Sequence, residues 1–104
     1  MAEPLNWSAE AVEDIEAIAQ FIARDSQHHA QRVVEALFAL GEVIEIHPLA
    51  GRVVPELGNA LVRERFLYSY RVIYEMAPVR INVLAVLHGR RLLESVADRM
   101  PGMD

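Results

Sequence analysis

Three arginines, Arg63, Arg65 and Arg71, fall within the stretch RERFLYSYRVIYE together with Phe66, Tyr68, Tyr70 and Tyr74. A guanidinium stays charged, offers a planar fork to carboxylate or phosphate and stacks on flat groups, so these residue types suit gripping an anionic or aromatic partner. The plainer alternative is a pair of strands whose aromatics pack and whose arginines solvate the surface or meet acidic neighbours. On that reading Tyr68, Tyr70 and Tyr74 are sheet and core packing rather than platforms for stacked bases. Arg71 lies between apolar neighbours, which leaves two roles open: a salt bridge to an acid such as Glu64 or Glu75, or contact with a target.

Other chemistries find little material. The chain has no cysteine, which excludes thiol nucleophiles, disulfides and thiolate zinc sites. His28 and His29 are adjacent at a helix start and diverge by about 100°, so no metal site is expected. Gly41, Gly51, Gly58, Gly89 and Gly102 match no nucleotide fingerprint, and Ser8, Ser26, Ser69 and Ser95 lack a nucleophile signature. No cofactor is expected.

The elements that must position these residues follow from periodicity. Ser8 is a candidate N-cap after a short extended Leu5–Trp7, and Val12, Ile15, Ile18, Ala19 and Ile22 recur at helical spacing, which predicts a helix from Ala9 to Arg24. Asp25 or Ser26 punctuates it, and Ala30, Val33, Val34, Leu37, Leu40 and Ile44 continue as a second helix that Pro48 stops. PLAGRVVPELGN reads as a loop with a brief extended piece at Val53 and Val54. Three antiparallel strands are then predicted, at Leu61–Tyr68, Tyr70–Met76 and Arg80–His88, with a turn at Ala77-Pro78-Val79. In the middle strand Tyr70, Val72, Tyr74 and Met76 share one face, and Arg71, Ile73 and Glu75 the other. RLLESVADRM is open to forming a short terminal helix. The expected class is α+β, β-α-α-β-β-β, a helical hairpin on one face of a small antiparallel sheet with the other face left available.

With 104 residues, 53% of them hydrophobic, one domain is expected over residues 1–104. MAEPLNWSAE carries no basic n-region and no apolar h-region, and INVLAVL is too short to cross a bilayer, so a soluble, cytoplasmic protein without membrane contact is expected. The net charge of −5 hides an asymmetry: residues 1–50 hold nine of the fifteen acids and two arginines, residues 51–104 six acids and eight arginines. This acidic chain offers no dense basic stripe, so direct sequence-specific DNA binding by the chain alone is not expected.

Trp7-Ser8, Ala11, Asp14-Ile15 and Ile18, then Pro48 to Glu56, Arg63-Glu64, Tyr70 to Tyr74 and the closing Val86-Leu-His-Gly-Arg-Arg91 form an ordered pattern over nearly the whole chain. It resembles the RelE/ParE superfamily of bacterial toxins from type II toxin-antitoxin modules. The resemblance implies the same fold, a helical hairpin on a small antiparallel sheet. It also implies a cognate antitoxin, ParD-like, that supplies an amphipathic helix, and an assembly that is a homodimer or a hetero-oligomer with that antitoxin. RelE-like members cut messenger RNA on the ribosome, whereas ParE-like members poison DNA gyrase. In the lysine-dependent ribonucleases of the superfamily two lysines precede the Y-R-x-x-Y strand; Val62 and Glu64 stand at those positions here, and no tyrosine follows Tyr74. The resemblance therefore favours the ParE-like branch, with DNA gyrase as target and Arg63, Arg65, Arg71, Arg90 and Arg91 as candidate target contacts. A second branch implies an alternative nuclease, with Glu56 as base, Arg65 and Arg71 on the phosphate and His88 as acid, since 2′-hydroxyl attack needs a base, positive charge and an acid. Structural readings stand beside it: Glu56 as a loop acid pairing Arg52 or Arg63, and His88 as a hydrogen-bonded strand terminus. A third reading is a non-toxic module that only holds an antitoxin.

Overall fold

The computed structural model describes residues 4–102, which form a short strand, two helices and a strand meander. Strand β1 (Leu5–Trp7) leads into helix α1 (Ala9–Ala23) through Ser8, whose hydroxyl accepts the Ala11 N–H at 3.0 Å. Ser26 repeats the device for helix α2 (Gln27–Ile46), accepting the His29 N–H at 3.0 Å. Such caps satisfy amide groups that the first helical turn leaves without partners. The inward faces follow the helical period: Ala11 and Ile15 from α1, and Ala30, Val33, Leu37, Gly41 and Ile44 from α2, are buried. Pro48 closes α2 by starting a 3-10 turn, Pro48–Ala50.

Gly41 stands in mid-helix, where glycine costs about 1 kcal/mol relative to alanine. The Trp7 ring explains it, because a Cβ at residue 41 would come within 2.5 Å of that ring, which also meets Phe38 edge-on at 4.9 Å. Gly41→Ala is therefore expected to give none of the usual gain in helix stability and to lower the melting temperature as Trp7 is displaced, at a net cost of about 1 kcal/mol. A melting temperature above that of the parent would contradict this account.

Strands β2 (Arg52–Val53), β3 (Val62–Leu67), β4 (Tyr70–Met76) and β5 (Ile81–His88) complete a five-stranded sheet of order β1-β5-β4-β3-β2. β1 runs parallel to β5 and every other pair is antiparallel. The α+β class and element order agree with the sequence pattern. Two local differences occur. β2 pairs through Arg52 and Val53, while Val54 turns inward and is fully buried. The terminal segment is a kinked 3-10 stretch, Leu93–Arg99, with non-helical φ at Val96.

The larger correction concerns the sheet face opposite the helices, which is not left available. The β4–β5 register slips between Ile73 and Tyr74: Ile73 faces Ala85 and Tyr74 faces Val83, so Leu84 is an extra, bulged residue. A bulge reverses the alternation beyond it. Ile81 and Val83 therefore pack toward the helices with Val72, Tyr74 and Val86, whereas Ala85 and Leu87 join a second cluster with Val54, Val62 and Ile73. Leu93, Val96 and Met100 of the terminal segment cover that second cluster. The described residues thus form two cores, one on each side of β4.

Candidate functional site

At the β3 end of the second face four charged side chains join in one network. β2–β3 pairing sets Arg52 opposite Glu64, and β3–β4 pairing sets Glu64 beside Ile73 and Phe66 beside Arg71. Strand alternation points Arg52, Glu64 and Arg71 to the same face. Arg71 donates to Glu64 through Nε at 3.0 Å and Nη2 at 2.5 Å, and to Glu56 through Nη1 at 3.0 Å and Nη2 at 3.1 Å. Arg52 donates to the other Glu64 oxygen. Glu64 is 1% exposed and Arg71 7% exposed, so two opposite charges are held almost wholly out of water. That arrangement persists because each charge finds its counterpart with forked geometry.

Electrostatics follow from the contacts. The hydrogen bond from Arg71 holds the Glu56 carboxyl below the usual glutamate range, against a smaller opposing effect of burial. For Arg71, burial works against the charge, but the bonds to Glu56 and Glu64 outweigh it and raise the guanidinium above its ordinary value. Glu56 is the more exposed of the two carboxylates in the network, and a carboxyl whose folded value is lowered stabilises the fold above the ordinary range near pH ~4.3, losing that contribution as pH falls through the lowered value. Glu56→Gln is accordingly expected to flatten the acid limb of stability between about pH 5 and 2, read as urea midpoints across pH. Parallel curves for variant and parent would refute the assignment.

A further cluster secures the loop before β3. The buried Tyr74 hydroxyl donates to the Pro48 carbonyl, and burial pushes its phenol up. Arg63 donates to the Ala60 carbonyl at 2.8 Å and to the Gly51 carbonyl at 3.2 Å. A Cβ at Gly51 would collide with the Tyr74 hydroxyl, which accounts for glycine there.

The sequence-predicted site residues are thus distributed unevenly. Arg71 is enclosed rather than displayed, with Glu64 as its buried partner, and Arg63 is committed to loop carbonyls. Glu56 meets Arg71, not Arg52 or Arg63. Arg65, opposite Val72, belongs to the helix-side face, and Arg90 and Arg91 are exposed after β5. None of these last three forms an ion pair among the described residues. His88 is exposed at the end of β5, its ring edge-on to Tyr70 at 5.9 Å and its Nδ1 accepting the Arg90 N–H at 3.2 Å. Glu56 and Arg71 therefore occupy one face of the sheet, and Arg65 and His88 the other, so the four residues do not converge on one phosphate. Tyr74 and Tyr70 pack as expected, but Tyr68 does not: it is 70% exposed. Among the described residues no cluster of three or more metal-ligating side chains occurs, and no helix is long and apolar enough to cross a membrane.

The arrangement of helical hairpin and strand meander is a fold also found in solved structures of toxin–antitoxin systems. The chain is similar to a structure of the chromosomal ParDE system from P. aeruginosa, at 17% identity and a TM-score of 0.70 over 84% of this chain and 96% of that one. It is also similar to the RelBE2 toxin-antitoxin complex from Mycobacterium tuberculosis, at 15% identity and a TM-score of 0.64 over 85% and 99% of the two chains. A comparison with curated proteins finds no match. The family described as ParE toxin of type II toxin-antitoxin system, parDE, matches residues 5–93. The chain belongs to that family: it is a ParE-type toxin of a toxin-antitoxin system.

Proposed function

We propose that this toxin arrests growth by binding and poisoning DNA gyrase rather than by cutting RNA. The observation that carries the reading is the division of candidate groups between the two sheet faces. Backbone cleavage by a 2′-hydroxyl requires base, cation and acid around a single phosphate, whereas Glu56 is tied to Arg71 on one face and His88 stands on the other. Of the candidate contact arginines, Arg65, Arg90 and Arg91 have neither an ion pair nor a bond to a loop carbonyl among the described residues and are suited to contacting a large partner, where bidentate donors confer specificity. Cytoplasmic action fits such a target.

A cognate, ParD-like antitoxin neutralises it in this reading, forming a hetero-oligomer. Between α1 and α2 runs a furrow of about 370 Å³ whose lining includes Ala19, Ala23, Ala30 and Val34. Small side chains there leave room for the apolar stripe of an incoming helix. The acidic first half of the chain favours a basic partner segment.

A supercoiling assay with purified toxin tests the proposal. Inhibition of gyrase that is relieved by the antitoxin from the adjacent reading frame is expected. Unimpeded supercoiling, with ribosome-bound message cleaved instead, would overturn it in favour of a RelE-like activity.

A further inference from the structure

The two-residue turn between β3 and β4 contains a tyrosine in a conformation usually left to glycine or asparagine. Tyr68 has φ of 54°, in the left-handed region that side chains disfavour. Burial does not compensate, since the ring is 70% exposed. The turn is held from the next residue: the Gly89 N–H donates to the Ser69 carbonyl at 2.6 Å, and a Cβ at residue 89 would press on that oxygen at 3.2 Å. A clamp between two strand ends thus fixes an aromatic ring in water. Strain of this kind, imposed by the surroundings, is characteristic of ligand contacts.

Tyr68 lines a cavity of about 340 Å³ between the ends of the helices and the sheet. Phe21 and Tyr70 supply two further aromatic walls, His29 and His88 two imidazoles, and Ile22 and Val33 an apolar floor. Phe21 is itself 67% exposed, with the Arg24 guanidinium over its ring at 5.7 Å. Because the Nδ1 of His88 accepts the Arg90 N–H, the neutral ring carries its proton on Nε2 and has a donor to offer. Flat apolar walls and two imidazoles in the lining, with the Arg24 guanidinium beside Phe21 and Arg90 following His88 in the chain, match a ligand that is part aromatic ring and part anion. The volume lies at the small end of the ligand-pocket range of about 300–1,000 Å³, room for one base and its sugar.

We propose that this cavity is a nucleotide site in which Tyr68 and Phe21 stack a base while Arg24, His29 and Arg90 meet the phosphate. The proposal does not depend on gyrase being the target. A free mononucleotide and an unpaired nucleotide of a single strand present the same chemistry, and the test separates them.

Adenosine monophosphate, adenosine and a short deoxyadenylate oligomer are titrated into the full-length toxin while the imidazole resonances of His29 and His88 are followed. Both phosphate-bearing probes, or one of them, should shift these resonances. Binding by the monophosphate assigns a free nucleotide; binding by the oligomer alone assigns a single strand. Tyr68→Ala should weaken binding about ten-fold, the range for loss of one aromatic–base stack. Tyr68→Gly should weaken it similarly while melting at or above the parent temperature, which separates lost contact from lost fold. No shift with either phosphate probe, shifts untouched by both substitutions, or adenosine binding as tightly as its monophosphate would overturn the proposal.

Discussion

Arg71→Met is expected to lower the unfolding free energy by about 3–5 kcal/mol, the penalty for leaving a buried charge without its partner. Methionine approximates the length of the aliphatic stem and keeps a side chain opposite Leu87 on the same face, so the electrostatic consequence dominates. Glu64, 1% exposed, would keep only Arg52, whose side chain is 62% exposed and reaches it from the rim. Glu56 would lose both of its bonds and release the loop between β2 and β3, which Arg71 pins from the opposite strand. For a domain near 100 residues a loss of 3 kcal/mol displaces the melting temperature by roughly 12–24 °C. Thermal and urea denaturation measure it. The double variant Arg71→Met with Glu64→Met should recover at least half of the loss, because no buried charge then remains; Arg52 and Glu56 can both turn to water. If the double variant is no more stable than the single one, the penalty arises from packing, and the network account of this face fails.

That network also marks the limit of what the chain discloses before folding. Helices α1 and α2 are legible because Ile15, Ile18 and Ile22, and then Val33, Leu37 and Ile44, repeat at the helical period between Ser8, Ser26 and Pro48, all of them local signals. The strands are legible for the same reason. The charge network is not, because Glu56 reaches Arg71 across a loop whose path depends on Gly51, Val54 and the Tyr74 hydroxyl, contacts fifteen or more residues apart in sequence. Glu64 was within reach of sequence reasoning as a partner for Arg71, since both fall on one face of a hairpin closed at Tyr68-Ser69.

The second core was hidden by a single residue. Ile81, Val83, Ala85 and Leu87 alternate without interruption and read as one face, yet the bulge at Leu84 divides them between two clusters. No residue type announces it, because leucine is ordinary in a strand; the bulge follows from fitting β5 to β4 on one side and to β1 on the other. Once Ala85 and Leu87 turn to the second face, an apolar surface exists for Leu93, Val96 and Met100 to cover. Tyr68 escaped for a related reason: aromatics in a strand-rich stretch usually pack, and only the turn geometry places this ring outside.

The same strand yields the second large effect, at Asp14. β1 ends at Trp7 opposite Val83, so beyond that point the edge of β5 has no strand to cover it. The Val86 N–H is instead taken by the Asp14 carboxylate of α1 at 2.9 Å, and Arg99 from the terminal segment donates to the same group at 2.7 and 3.3 Å. One side chain thus joins helix, sheet edge and terminal cover, and its hydrogen bond raises the Arg99 guanidinium above its ordinary value against the opposing effect of burial. Asp14→Ala leaves a part-buried amide without an acceptor and a mostly buried guanidinium without its anion, and is expected to destabilise by about 3 kcal/mol. Asp14→Asn keeps an acceptor for Val86 and loses only the charge, so about 1–1.5 kcal/mol is expected. Urea denaturation gives the two values, and amide exchange at Val86 should accelerate in the alanine variant well before global unfolding while Leu37 in α2 stays protected. Equal losses for both variants would mean that the charge on Arg99 accounts for the whole effect, and that β5 needs no cap on its open edge.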